Sequence, residues 1–137
     1  MTITAGRRPR VVVTGEAGFI GWHTQVRLRA LGGFEVIPIN HKDFAGEALV
    51  QAVMDADAVV HLAGINRATD AELEFGNLGI TERLVEALKA AGSQASVIFA
   101  DSIHSASDTP YGRGNRCAGE ALQAWGIASG AKVTVDE

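Results

Sequence analysis

Apolar positions in the chain fall into two patterns: short unbroken runs, and longer stretches in which they return every three or four residues. The run Val11-Val12-Val13 shows no alternation, which is how a strand buried on both faces of a parallel sheet reads. Similar strands are expected at 58–62, ending Val60-His61-Leu62, and at 97–100, with others at 35–39 and 132–135. Ile20, Val26, Leu28 and Leu31 suit a helix over 19–31, which Gly32-Gly33 stops. A short helix is expected at 46–54. A long one over 70–91 carries Leu73, Leu78, Leu84, Val85 and Leu88 on one side, is interrupted by Asn77 and is stopped by Gly92. Pro110 fits the first turn of a last helix reaching about residue 129. Strand and helix alternate throughout, so right-handed crossovers predict a doubly wound α/β fold: about five parallel strands in the order 2-1-3-4-5, covered on both faces.

The first strand breaks into Thr14-Gly15-Glu16-Ala17-Gly18-Phe19-Ile20-Gly21. Gly15 suits a sharp turn, Gly18 a close approach of backbone to a ligand, and Gly21 tight packing of helix on strand. The helix that follows points free N–H groups and the positive end of its dipole at such a ligand, a setting for a pyrophosphate. The spacing is G-x-x-G-x-x-G rather than G-x-G-x-x-G, and a connection that binds nothing can carry the same glycines. In dinucleotide folds an acid at the tip of the second strand takes the ribose 2′-OH of NAD, whereas basic residues suit NADP. Asn40-His41-Lys42 stands at that tip, which leans toward NADP. Asn40 can hydrogen-bond a hydroxyl and so leaves NAD open, and His41 and Lys42 also read as ordinary turn residues. The third strand ends in Ala63-Gly64, so Gly15 and Gly64 are expected to flank one crevice. His61, inside that strand, reads as a core histidine with satisfied nitrogens rather than as a catalyst.

Composition narrows the picture. At 137 residues and 47% hydrophobic content, one domain with a real core over 1–137 is expected. A net charge of -4 argues against non-specific nucleic-acid binding. No apolar run approaches the roughly 18 residues of a membrane span, and the start lacks a secretory core, so a cytoplasmic protein is expected. Arg7, Arg8 and Arg10 read as a solvated lead-in. The single cysteine, Cys117, excludes an internal disulfide and suits packing. His23, His41, His61 and His104 show no ligand spacing, so no metal site is expected, and Ser102 lacks a nucleophile-elbow sequence.

Thr14 to Gly21, Asp57-Ala58-Val59-Val60-His61-Leu62-Ala63-Gly64 and Gly76-Asn77-Leu78-Gly79-Ile80-Thr81 together resemble the extended short-chain dehydrogenase/reductase family, the NAD(P)-dependent epimerases and dehydratases of nucleotide sugars. His61-Leu62-Ala63-Gly64-Ile65-Asn66-Arg67 and Asp108-Thr109-Pro110-Tyr111-Gly112 are particularly similar to the reductase domain of capsular-polysaccharide sugar biosynthesis. The resemblance implies a Rossmann-like, NAD- or NADP-binding domain acting by hydride transfer. Gly15, Gly18, Phe19 and Ile20 would hold the phosphates, Leu62, Ala63 and Gly64 would line the other wall, and Asn40, His41 and Lys42 would meet the ribose. Asp43-Phe44 would meet the adenine, although the family's usual additional edge strand is missing before it. Asn77 would help order the active site. Ser102 would polarise the reacting oxygen, while Tyr111, also touching the cofactor, would exchange its proton.

In the family's Tyr-x-x-x-Lys motif the fourth residue after the tyrosine is lysine; here it is Asn115. A cation about 4 Å from the phenol, at an effective dielectric near 20, favours phenolate by about 4 kcal/mol before desolvation reduces it, or up to about three units from a free pKa near 10. Asn115 can donate a hydrogen bond to the nicotinamide ribose but brings no charge. Lost acid/base help typically removes about 10² to 10⁴ in rate. Arg116 lies about 100° further round the helix and does not substitute. The family also carries a sugar-binding region after the closing strand, so a fragment of a longer enzyme is one expectation. A non-catalytic dinucleotide-binding or sensing module is another. A homodimer through the helices at 70–91 and 111–129 is a third, although their apolar residues equally suit the core.

Overall fold

The computed structural model describes residues 8–15, 19–39, 47–62, 77–100 and 110–136. Strands and helices alternate along it: β1 (Arg10–Thr14), α1 (Phe19–Leu31), β2 (Glu35–Ile39), α2 (Glu47–Met54), β3 (Ala58–His61), α3 (Asn77–Ala91), β4 (Ser96–Ala100), α4 (Pro110–Ser129) and β5 (Val133–Asp136). Every strand pair is parallel, and the sheet order is β2-β1-β3-β4-β5. This is the doubly wound, Rossmann-like order expected from the alternation. Among the described residues, no helix is long and apolar enough to cross a membrane.

Strand alternation divides the core. Val12, Val59, Val97 and Phe99 belong to one buried cluster with Leu49 and Val53 of α2, Leu84 and Leu88 of α3, and Leu122 and Trp125 of α4. Val11 and Val13, at the alternate positions, are buried outside that cluster, where α1 meets β1 and β2. The first crossover alone runs from β1 toward the β2 edge of the sheet. The same right hand therefore puts α1 on one face and the three later helices on the other. Helices thus cover both faces, as expected, but unevenly: Ile98 of β4, on the opposite face from Val97 and Phe99, is 41% exposed.

One sequence expectation needs correction. Arg10 is not a solvated lead-in but the first residue of β1. Its N–H donates to Asp57 Oδ2 at 2.7 Å, and its guanidinium lies 3.3 Å from Asp55. Its Nε is also 3.2 Å from Glu35, an ion pair in which the N–H is not aimed at the carboxylate. Three carboxylates converging on the strand's start hold it there, although half-exposed pairs of this kind are each worth at most about 1 kcal/mol. Asn77 is itself the first residue of α3, so the interruption expected there falls at the limit of the described residues. The expected helical positions 70–76, with Leu73, lie outside the described residues. Cys117 is partly buried on α4, in keeping with a packing role.

Candidate functional site

Because β1, β2 and β3 are parallel, their carboxyl ends share one edge of the sheet, with Thr14 in register with both Ile39 and His61. The winding reverses at β1: its crossover leads to β2 on one side, and the next lands β3 on the other. A crevice at that edge between β1 and β3 is the position at which open α/β sheets take ligands. Gly15 leaves β1 there with φ of 72°, a left-handed conformation that glycine adopts without penalty. Helix α1 begins at Phe19, so the N–H groups that lack an intrahelical partner face the same edge, and Gly21 in its first turn is buried.

Beneath that edge lies a chain of buried polar groups. The Leu62 N–H donates to Thr14 Oγ1 at 2.9 Å, Thr14 Oγ1 is 2.7 Å from His61 Nδ1, and His61 Nε2 is 3.0 Å from Thr81 Oγ1 on α3. Thr14 and His61 are wholly buried and Thr81 nearly so. Burial pushes the imidazole pKa down from 6.5 to about 4, so the ring is neutral at pH 7. A neutral imidazole has one N–H and one lone pair, which two hydroxyls can match, one accepting and one donating. The ring also stacks on Phe99, centroids 5.6 Å apart and planes 28° from parallel. His61 is thus a satisfied core histidine. Its partners were missed in the sequence, where the available signal was a threonine at the end of a valine run and another in the apolar stripe of α3.

Helix α4 runs against the strands. Gly126 packs on Val133 at the start of β5, and Gly119 lies by Phe99 and Val135 toward the strand ends. Its amino-terminal turns therefore continue to the crevice edge. Tyr111 is eight residues before Gly119, about 12 Å further along the axis, and Asn115 follows it one turn later. At the opposite edge an open groove of about 530 Å³ is lined by Gln123, Gly126, Ile127, Gly130, Ala131 and Val133, none of them an expected site residue.

Residues 11–124 match the model of the NAD dependent epimerase/dehydratase family. The chain belongs to that family. It is 34% identical over 127 residues to the UDP-2-acetamido-2,6-beta-L-arabino-hexul-4-ose reductase of Pseudomonas aeruginosa, covering 92% of this chain and 34% of that one. Its fold is similar to capsular polysaccharide assembling protein CapF from Staphylococcus aureus, with TM-score 0.76, 21% identity, and 92% and 33% of the two chains covered. It is also similar to RMD from Pseudomonas aeruginosa complexed with NADPH, with TM-score 0.73, 27% identity, and 93% and 52% covered. The chain thus spans about a third of the length of the curated relative.

Within this epimerase/dehydratase frame, the structure brings several of the expected residues to one edge. Gly15 and Leu62 lie at the crevice, Phe19 and Ile20 open α1, and Tyr111 and Asn115 occupy the leading turns of α4. Asn77 opens α3 one turn before Thr81, whose contact with His61 holds that end of the helix near the end of β3. Gly18, Asn40, His41, Lys42, Asp43, Phe44, Ala63, Gly64 and Ser102 lie outside the described residues. Among the described residues no group of three or more His, Cys, Asp or Glu could hold a metal ion.

Proposed function

We propose that the chain binds NAD or NADP at the crevice between β1 and β3 and is the cofactor-binding part of a nucleotide-sugar reductase or epimerase. The observation that carries this reading is Gly15. Its left-handed turn comes directly after β1, at the strand where the winding reverses and a helix start faces the gap. A Cβ is absent where a diphosphate needs backbone contact, so the residues present fit the group. When bound, the nicotinamide supplies or accepts a hydride. Gly15 and Gly18 approach the diphosphate, Phe19 and Ile20 offer helix-start N–H groups, and Leu62, Ala63 and Gly64 form the facing wall. Ser102 polarises the reacting oxygen, and Tyr111 moves a proton at its phenol oxygen. NADP is favoured over NAD through His41 and Lys42, with Asn40 holding a ribose hydroxyl and Asp43 and Phe44 beside the adenine. The complex of RMD with NADPH and the UDP-sugar reductase among the relatives support a nicotinamide dinucleotide and a nucleotide-linked sugar as the pair of ligands. A cytoplasmic setting and a dimer formed through the outer faces of α3 and α4 belong to the same reading.

Asn115 favours a second reading, in which the dinucleotide is bound without turnover. A hydrogen bond from the amide retains the ribose contact, but no cation lowers the phenol pKa. Fluorescence titration with NADH and NADPH, followed by assay with a UDP-linked 4-keto sugar, tests both. Saturable binding with turnover supports the enzyme, and saturable binding without turnover supports the module. Failure to bind either dinucleotide would reject both.

A further inference from the structure

The last backbone rung between β1 and β3 pairs Thr14 with His61. One position further, Gly15 has already left the strand. There the side chain of Thr14 accepts from the Leu62 N–H, at 2.9 Å. The same hydroxyl lies 2.7 Å from His61 Nδ1, which either accepts its proton or donates to its lone pair according to the tautomer. Phe99 sets the plane of the imidazole, and Thr81 of α3 holds its far nitrogen at 3.0 Å.

We infer that His61 is a positioning residue: through Thr14 it sets the spacing of the crevice walls at Gly15 and Leu62, and through Thr81 it ties that spacing to the start of α3. This inference rests on the dinucleotide reading above. It also has a consequence for recognition, because the Leu62 N–H is consumed internally and the donors for a diphosphate come from the glycine turn and α1. Thr81 lies one helical turn after Asn77, so the same chain couples the phosphate end of the crevice to the helix that carries Asn77.

The test is NADPH affinity, read by fluorescence, beside thermal denaturation and the hydrogen exchange rate of the Leu62 amide in the 137-residue chain. Thr81→Val keeps shape and removes only the far hydroxyl. It is expected to raise the NADPH dissociation constant about three- to tenfold, the equivalent of one hydrogen bond, and to speed Leu62 exchange. His61→Phe is expected to do both more strongly. His61→Asn, whose amide can stand in for Nδ1 but does not reach Thr81, is expected to match Thr81→Val rather than His61→Phe by keeping the Thr14 contact. If Thr81→Val and His61→Phe lower the melting temperature but leave affinity unchanged, the histidine is merely structural and the inference fails while the dinucleotide reading stands. If His61→Phe does not fold, Thr81→Val and the Leu62 exchange rate decide alone. A wild-type chain that does not bind NADPH or NADH overturns both.

Discussion

Acidification should destabilise this fold through one residue, His61. Its imidazole is wholly buried and titrates at about 4 rather than 6.5, because burial penalises the charged form. The unfolded chain therefore binds a proton at that residue between about pH 6.5 and pH 4 while the folded chain does not. The contribution is fully present above the unfolded value and is lost as the pH falls through this window. The shift is worth about 3 kcal/mol in total, and about 2 kcal/mol of it falls between about pH 7 and pH 5. That is a large part of the roughly 5–15 kcal/mol that holds a typical domain together. Urea unfolding at half-unit steps of pH, in the wild type and in His61→Asn, isolates the effect from carboxylates that begin to titrate below about pH 5. The difference between the two stability curves should narrow steadily toward acid, with a slope approaching about 1.4 kcal/mol per pH unit. Curves that stay parallel across the window would show that His61 is charged or solvated in the native state, and the buried hydrogen-bond chain would be refuted.

Other substitutions follow from the same geometry. Leu122→Ala, at a fully buried position between α4 and the sheet, should cost about 2–5 kcal/mol in denaturant unfolding. Gly126→Ala should destabilise by about 1–2 kcal/mol despite the gain in helix propensity. Its Cβ would stand 2.7 Å from Val133 Cγ2 and 3.2 Å from the Ala131 carbonyl, so α4 must move off β5. Tyr111 is the single tyrosine, so ultraviolet titration of phenolate reads it alone. Asn115→Lys should lower its midpoint by about one to three units, and an unchanged midpoint would show that residue 115 does not face the phenol.

The alternation of valine runs with helical stretches made the element order legible, and right-handed crossovers then left one strand order to expect. Helix α1 and strand β2 have the bounds their stop signals suggested, because Gly32 and Gly33 do adopt left-handed φ values of 70° and 78°. Arg10 was misread because a cluster of arginines looks like a solvated tail in one dimension. Only the tertiary fold brings Asp55 and Asp57 to it from more than 40 residues away. The same limit hid the Thr14–His61–Thr81 chain, whose members are 47 and 20 positions apart. Neither threonine announces a partner in sequence, since threonine in a strand or a helix usually needs no explanation beyond propensity. Uneven cover of the sheet was also missed. A central run such as Val11-Val12-Val13 shows burial on both sides of β1 but says nothing of β4, where Ile98 stands exposed.

A nitrogen–proton correlation spectrum of the chain titrated with NADPH tests the crevice most directly. Saturable shifts should concentrate at the amides of Gly15, Phe19, Ile20 and Leu62, at the carboxyl edge of β1 and β3. Shifts confined instead to Gly126, Ile127, Gly130 and Val133 at the far edge, or no shifts at millimolar NADPH, would contradict a dinucleotide site between those strands.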